Sequence, residues 1–361
     1  MNNAEQLTIS TPGRICLFGE HQDYLGLPVI AAAISLRLQI SGTPRKDLHF
    51  NIDLPDIGGR DSFWGDQRLL YNKARDYFRS GFNILWDEGM RFSHGWDFEV
   101  HGNIPINSGT SSSSAMMVSW INFLLHACGH ARAGDADYVA RLAHRAEVLE
   151  FDEPGGMMDQ FSTSYGHVIF LDFSNHDIQQ FAPRLGTFVL GDSQQPKDTM
   201  KILANTKNIA LEAVELISKT YPKFNLRQTS SGEIENELSA LPPRHREVLN
   251  ANLIDRDLLR EGLRVLQKDP VDRKQFGNLL SRHHEQLSRY KQVSTPKIER
   301  MLDAALAAGA LGGKINGSGG GGCMFAYAPD APEAVAEAIR GEGGLAYIVE
   351  IADGTKTITA E

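Results

Sequence analysis

The sequence predicts an α+β protein of two domains, on three observations. The chain has 361 residues, more than the roughly 150 residues of one ordinary domain. Short apolar and β-branched runs, typical of strands, alternate with segments of helical periodicity in both halves. The sequence contains no internal repeat that would indicate a solenoid or a propeller. We predict a boundary near Pro183, with residues 1–183 forming one domain and residues 184–361 the other.

The first half opens with β-structure. Residues 7–9 and 15–18 are predicted strands on either side of Pro12-Gly13, and residues 29–40 have the composition of a buried strand or strand pair. The remaining predicted elements are a helix over 66–82, a strand over 96–100, a helix after a serine-rich loop, a helix over 135–149 and a strand over 167–173.

The second half is more helical. Pro296 suits the first turn of a helix that runs to residue 310. Apolar positions at helical spacing predict further helices over 197–219, 234–241, 244–252, 255–267, 276–290 and 332–340, and strands are predicted over 323–328 and 346–351.

Composition excludes several classes of protein. The net charge is −9 and the charged residues are mixed along the chain, which argues against nucleic acid as a partner. Three widely spaced cysteines, Cys16, Cys128 and Cys323, form neither a disulfide framework nor a metal knuckle, and they predict a reducing cytoplasm.

The amino terminus lacks a signal-peptide pattern, and the apolar run 115–128 is shorter than the ~20 residues of a membrane span. We therefore expect no membrane partner.

The serine-rich loop from Asn107 to Ala115 is the most informative segment. It leads directly into the apolar run 116–128, which is predicted to be a helix. Small residues allow a ligand to approach the backbone, and the free N–H groups of a helix start favour an anion. This combination predicts a phosphate site, although its spacing is not that of the common P-loop. A flexible loop is the alternative.

A second candidate site follows the first strands. Glu20, His21, Asp23 and Tyr24 lie within five residues, between Gly19 and Gly26. Carboxylates accept hydrogen bonds from sugar hydroxyls, and imidazole either donates or accepts them. The alternative is a solvated turn.

Two further segments carry candidate chemistry. From Gly317 to Gly322 every residue is glycine except Ser318, so this loop can pass close to phosphate or to another loop. Asp159 follows Gly155-Gly156 among apolar residues, where a partly buried acid needs a partner such as Arg14. Glu147 is a second acid that could face the same space. The alternative for the loop is a flexible connection without a binding role. The alternative for each acid is membership of a structural ion pair.

In this order the segments resemble the galactokinase branch of the GHMP (galactokinase, homoserine, mevalonate and phosphomevalonate) small-molecule kinases. The resemblance spans nearly the whole chain and rests on residues 12–24, 105–115, 155–160 and 314–323, with residues 293–299 in support. It implies an N-terminal α/β domain with a left-handed β-α-β crossover and a C-terminal ferredoxin-like α/β domain. The active site is expected in the cleft between them.

The resemblance also implies the reaction and the residues that carry it. ATP- and Mg²⁺-dependent phosphorylation of the anomeric hydroxyl of galactose or a related monosaccharide is expected, in a monomer or weak homodimer. Asp159 and Arg14 would be catalytic, while Ser113 and Glu147 would hold Mg²⁺. The residues expected to bind sugar are Glu20, His21, Asp23 and Gly156. Those expected to bind ATP phosphates are Ser108, Gly109, Thr110, Ser111, Ser112, Ser113, Ser114, Gly317, Ser318 and Gly319.

Four positions depart from the galactokinase pattern. Asn107 replaces a glycine and Thr110 a leucine in the phosphate loop, Leu25 replaces an asparagine, and Gly155 stands where cysteine is common. Two alternatives to a galactokinase therefore stay open. One is a kinase for another sugar or derivative, such as arabinose, a hexosamine, a uronic acid or a heptose phosphate. The other is a sugar- and ATP-binding sensor without catalysis.

Overall fold

Eight strands form the larger of two sheets. The structure is a computed structural model that describes residues 6–153, 155–175, 177–196 and 199–358. The strands of this sheet are β1 (Leu7–Phe18), β2 (Val29–Pro44), β3 (His49–Leu54), β4 (Gly59–Trp64), β5 (Trp96–Gly102), β6 (Val168–Asp172), β7 (Asp177–Phe181) and β12 (Lys356–Ile358). Their main order is β12-β1-β2-β5-β3-β4, with β6 paired to β2 and to β7, and β3 runs parallel to β5.

Helices of the first half cover one face of this sheet. They are α1 (Tyr77–Asp87), α2 (Ser112–Ala127), α3 (Ala136–Glu147) and α4 (Met158–Tyr165). The core beneath them is rich in aromatic rings, with Trp120 of α2 packed edge-on against Phe78 and Phe98. Helix α2 is buried from Ser114 onward along most of its length, whereas Ser113 in its first turn is exposed.

The second half forms a four-stranded antiparallel sheet. Its strands are β8 (Phe188–Asp192), β9 (Gly312–Ile315), β10 (Cys323–Tyr327) and β11 (Leu345–Val349), in the order β11-β8-β10-β9. Its helices are α5 (Thr199–Thr220), α6 (Glu235–Ala240), α7 (Pro243–Leu266), α8 (Arg273–Glu285), α9 (Pro296–Ala307) and α10 (Pro332–Gly341). The β-α-β-β-α-β sequence with this strand order is the ferredoxin-like arrangement predicted for this half.

The predicted α+β class is confirmed, whereas several predicted elements differ. The helix predicted over 66–82 is wrong in its first part, because α1 begins only after Asp76. The side chain of Asn83 donates to the carbonyl of Leu69 at 2.9 Å and accepts from its N–H at 2.8 Å. These bonds replace the helical ones, so the preceding segment stays irregular. The hairpin of β3 and β4 was not predicted.

Two other predicted elements have different boundaries in the structure. Strand β1 continues through Pro12-Gly13 with a register shift between these two residues, rather than breaking there. The helices predicted over 244–252 and 255–267 form the single helix α7. Lys197 and Asp198, the predicted start of the following helix, lie outside the described residues. Strands β8 and β9 were not predicted, and the handedness of the crossover remains a prediction.

Within the described part of the chain, no helix is both long and apolar enough to cross a membrane.

Candidate active site

The turn after β1 carries the first group of site residues. Gly19 has φ +92°, and a Cβ there would lie 2.8 Å from the carbonyl oxygen of Pro28, so the turn requires glycine. The short 3₁₀ helix Asp23–Leu25 then ends at Gly26, which is left-handed. This compact turn places Glu20, His21 and Asp23 at one end of a cleft.

The predicted phosphate loop ends at the first turn of α2. Ser111 precedes the helix in a left-handed conformation, with φ +62°, and Asn107 is also left-handed, with φ +57°. Asparagine tolerates this conformation, which explains how it replaces a glycine here. The hydroxyl of Ser111 is buried and has no hydrogen-bond partner in the described structure. The N–H groups of the first turn and this hydroxyl form a potential anion site.

Two of the predicted phosphate ligands instead stabilise the loop itself. The hydroxyl of Ser108 donates to the carbonyl of Pro105 at 2.7 Å, and that of Thr110 lies 3.3 Å from the same oxygen. Both side chains are buried away from the cleft. Thr110 therefore takes the place of a leucine by bonding to the loop backbone rather than by apolar packing.

Arg14 and Asp159 form a bidentate ion pair that borders the cleft. Nε and Nη2 of Arg14 each donate to one oxygen of Asp159, both at 2.9 Å, and Nη1 donates to the carbonyl of Gly109. The Arg14 side chain is 4% exposed and that of Asp159 is 30% exposed. Burial acts to lower the pKa of Arg14, but the charges of Asp159 and Glu20 outweigh it and raise that pKa. Arg14 is thus a permanent cation that links the acid to the phosphate loop.

Glu147 is the last residue of α3 and lines the same cleft. It accepts hydrogen bonds from the hydroxyl of Ser114 at 3.1 Å and from the side-chain amide of Gln160 at 2.7 Å. Burial raises the pKa of Glu147 to about 7, while bonds from Gln160, Ser113 and Ser114 act in the opposite direction. Ser113 itself is exposed at the cleft. Carboxylate and hydroxyl oxygens are suitable Mg²⁺ ligands.

The glycine-rich loop, residues 317–322, packs directly on the phosphate loop, residues 107–115. A Cβ on Gly317 would lie 3.0 Å from backbone atoms of Gly109, and one on Gly322 would lie 2.5 Å from the carbonyl of Ser108. The side-chain amide of Asn316 also donates to the carbonyl of Gly109 at 2.8 Å. Glycine is therefore needed here for close contact between two loops.

These segments surround one cleft with a volume of about 240 Å³. Most of the predicted residues line it, namely Arg14, Glu20, His21, Asp23, Gly109, Ser111, Ser112, Ser113, Ser114, Glu147, Gly156, Asp159, Gly317 and Ser318. Ser108, Thr110 and Gly319 do not line it. A Cβ on Gly319 would lie 2.3 Å from the carbonyl of Val293, so this glycine contacts the segment before α9 rather than the cleft.

A second groove, of about 560 Å³, lies elsewhere, against β3, β4 and β5. Its buried arginine, Arg79, pairs with Asp61 at 2.9 Å and with Asp76 at 3.2 Å. We assign the chemistry to the cleft that Arg14 and Asp159 line, because that is where the candidate motifs meet.

Two predicted sugar ligands already have protein partners. Nε2 of His21 donates to the carbonyl of Ser318 at 3.1 Å, which leaves Nδ1 to accept from the hydroxyl of Tyr24, also at 3.1 Å. Burial lowers the pKa of His21 to about 3, so the ring is neutral. Glu20 bonds to the Lys314 ammonium and to the N–H of Gly317. Both side chains therefore join the first motif to the glycine-rich loop.

Asp23 is the acid of this turn with a free oxygen directed toward Gly156. Its Oδ1 accepts from the N–H of Tyr24 at 2.9 Å. A Cβ on Gly156 would lie 1.8 Å from its Oδ2, so these two residues touch across the cleft. Burial raises the pKa of Asp23 to about 6, and the charge of Asp159 adds to this effect.

Some cleft residues were not predicted from the sequence. They are Arg75, Tyr77, Glu153 and Gln160, among others. Arg75 pairs with Glu153 at 2.5 Å, just before α1, in the segment that was wrongly predicted to be helical. Gln160 adjoins Asp159 in sequence, but its bond to Glu147 spans 13 positions and has no local sequence signal.

Known proteins match this chain in the same segments. Residues 70–167 match the GHMP kinases N terminal domain, residues 259–344 match the GHMP kinases C terminal region, and residues 2–44 match the galactokinase galactose-binding signature. The chain belongs to the GHMP kinases. The resemblance inferred from the motifs is thereby confirmed. In this GHMP kinase the N-terminal match ends before residue 183 and the C-terminal match begins after it. The domain boundary near Pro183 remains a prediction.

Curated relatives of this GHMP kinase include two kinds of enzyme. It is 29% identical to the mevalonate kinase of Thermococcus sibiricus over 351 residues, which cover 95% of each chain. It is also 29% identical to the galactokinase of Thermococcus kodakarensis over 331 residues, 89% of each chain. The relatives show that this protein is a kinase, and they leave its substrate open.

Solved structures share the fold of this GHMP kinase. Lactococcus lactis galactokinase complexed with galactose has a TM-score of 0.86 at 20% identity, covering 98% of this chain and 95% of that one. Methanococcus jannaschii mevalonate kinase has a TM-score of 0.72 at 17% identity, covering 98% of this chain and 100% of that one. At these identities the likeness concerns the fold alone.

Proposed function

We propose that this GHMP kinase transfers the γ-phosphoryl group of ATP, with Mg²⁺, to the anomeric C1 hydroxyl of galactose or a related monosaccharide. The bidentate Arg14–Asp159 pair carries the proposal. It lines a cleft that the first turn of α2 and the Asp23–Gly156 contact also border. This arrangement can hold a phosphate donor and a hydroxyl acceptor on either side of one acid.

The phosphate end of the cleft suits the triphosphate of ATP. The first turn of α2 offers free N–H groups, and the buried Ser111 hydroxyl lacks a partner in the described structure. Among the described residues no cluster of three or more His, Cys, Asp or Glu side chains is placed to hold a metal. Glu147 and Ser113 fit Mg²⁺ that is shared with phosphates, which is the usual way this ion is bound. When bound, Mg²⁺ neutralises charge on the phosphates.

Asp159 would orient the acceptor hydroxyl and take its proton. Both of its oxygens accept hydrogen bonds from Arg14, which fixes the orientation of the carboxylate at the cleft. We infer that Asp159 accepts the hydroxyl proton as the new O–P bond forms. Arg14 also donates to Gly109 of the phosphate loop, so it can stabilise charge near the transferred group.

Asp23 supports a sugar as the acceptor. Its Oδ2 is free to accept a hydroxyl, and Gly156 allows the two segments to close on a small ligand. A mevalonate kinase is the second candidate, because the Thermococcus sibiricus relative is a mevalonate kinase at the same identity as the galactokinase relative. The Asp23-Tyr24 pair belongs to the galactokinase signature and favours the sugar.

The test is ADP release from ATP and Mg²⁺ across free and phosphorylated monosaccharides and mevalonate. We expect strong turnover with one neutral monosaccharide. Turnover with mevalonate alone would establish the second candidate. Sugar binding by calorimetry without turnover on any acceptor would instead identify a sensor.

Gly156→Ala should weaken sugar binding, because the new Cβ would lie 1.8 Å from Oδ2 of Asp23 and force that carboxylate to rotate. We expect KM for the sugar to rise about tenfold, equivalent to about 1.4 kcal/mol, with a smaller change in KM for ATP. Gly155→Ala is the matched control, since a Cβ there meets only the Val148 methyl groups at 3.5 Å or more. Equal effects of the two substitutions would contradict the assignment.

Ser113→Ala should raise the Mg²⁺ concentration needed for half-maximal rate. Loss of one oxygen ligand is expected to increase this concentration about tenfold, by analogy with other losses around metal sites. Ser113→Thr retains the hydroxyl and serves as the control. An unchanged Mg²⁺ dependence in the alanine variant would remove Ser113 from the metal site.

A further inference from the structure

A fully buried lysine lies behind the cleft. Lys314 on β9 is 0% exposed, and its ammonium donates to the carbonyls of Cys16 at 3.0 Å and Ile315 at 2.8 Å. Its third donor is used by Oε2 of Glu20. The ammonium also lies 5.2 Å from the centre of the Phe325 ring. All of its hydrogen-bonding capacity is therefore satisfied by protein groups.

Glu20 connects Lys314 to the glycine-rich loop. Its other oxygen, Oε1, accepts the N–H of Gly317. Gly317 in turn sits against Gly109 of the phosphate loop, where a Cβ would be only 3.0 Å from the backbone. One carboxylate, fixed by Lys314, thus sets the position at which the glycine-rich loop meets the phosphate loop.

The charges around the cleft make this neutralisation important. Glu20, Asp23, Glu147 and Asp159 all line the cleft, and Arg14 already pairs with Asp159. An ATP molecule would bring further negative charge. Without Lys314, the buried Glu20 carboxylate would be uncompensated, and in this poorly solvated site it would repel phosphates.

We propose that Lys314 is a positioning residue for the nucleotide: it holds and neutralises Glu20, which anchors the N–H of Gly317 at the phosphate loop. The inference rests on the proposed function for the identity of the nucleotide. Lys314 does not itself line the cleft, so its effect on nucleotide binding is transmitted through Glu20.

A second buried lysine provides a matched control. Lys291 pairs with Asp255 at 2.8 Å, with both side chains 0% exposed. Neither residue lines the cleft. Lys314→Met and Lys291→Met each leave a buried acid without its cation, so both should lower the thermal unfolding midpoint. Only the first should change the anchoring of Gly317.

The test measures the ADP dissociation constant of the full-length protein by calorimetry. We expect Lys314→Met to weaken ADP binding at least about tenfold, in the range seen when outer-shell partners are removed, and Lys291→Met to weaken it clearly less, because its partner is Asp255 rather than Glu20. Equal losses in the two variants, or no loss in Lys314→Met, would overturn the proposal. In an active wild type, KM for ATP should rise in Lys314→Met more than kcat falls.

A double-mutant cycle keeps the test decisive if Lys314→Met fails to fold. In a Glu20→Gln background the lysine has no carboxylate to hold, so adding Lys314→Met should alter the ADP dissociation constant less than about twofold. A further tenfold loss there would show that Lys314 acts by another route and would overturn the proposal.

A wild type that binds ADP but phosphorylates no acceptor would overturn only the proposed function. A wild type that does not bind ADP would overturn both.

Discussion

Asp159→Asn is expected to lower kcat by at least about 10³-fold, within the range attributed to a general base. Asparagine has nearly the same shape and retains an oxygen for Arg14, but it cannot accept the proton of the acceptor hydroxyl. Sugar and ADP affinities should stay within about threefold of the wild type. Single-turnover ADP formation would measure the chemical step, and calorimetry would measure binding.

Asp137→Asn is the matched control for this substitution. Asp137 also forms a bidentate pair, with Arg141 at 2.8 Å and 3.0 Å, and it lies away from the cleft. Its side chain is 33% exposed, close to the 30% of Asp159. The control should keep normal turnover. A kcat for Asp159→Asn within tenfold of the wild type would remove this acid from the mechanism.

Arg14→Lys should lower kcat by about 10²-fold and Arg14→Met by about 10³-fold, as expected for loss of a charge-stabilising donor. Lysine retains the charge, but a single ammonium cannot reproduce the bidentate bond to Asp159 together with the bond to Gly109. The methionine variant also loses the charge that we propose faces the transferred phosphoryl group. Steady-state rates at saturating sugar and ATP would separate these effects from binding.

Arg79→Lys provides the comparison for these variants. Arg79 is a buried arginine that bonds to Asp61, Asp76 and the carbonyl of Ser62, outside the cleft. The Arg79→Lys substitution should lower the free energy of unfolding without lowering kcat of the folded protein. If Arg14→Lys retains full kcat, the structural role of Arg14 is sufficient to explain its burial, and its catalytic role is contradicted.

The motifs could be recognised from the sequence because each needs particular residue types in a short stretch. The serine-rich loop before an apolar run predicted a helix, which is confirmed as α2, and an anion site at its start, which stays a prediction. The pairing of Arg14 with Asp159 was also a sequence hypothesis, and the structure places the two side chains in bidentate contact. Hydrophobic periodicity wrongly predicted a helix over residues 66–76, where the Asn83 side chain bonds to Leu69. Such a bond depends on tertiary contact and leaves no local pattern.

The sequence by itself determined the α+β class and the order of the segments that form the cleft, since these follow from local composition and spacing. The kinase family came from the resemblance of those segments to the GHMP kinases. Only the tertiary structure decided which polar atoms remain available for a ligand. Ser108 and Thr110 bond to their own loop, whereas Ser111 has a buried hydroxyl without a partner in the described structure. Glu20 is bonded to Lys314, a residue 294 positions later in the chain. Burial forces polar groups to find partners, and the fold determines which partners are within reach.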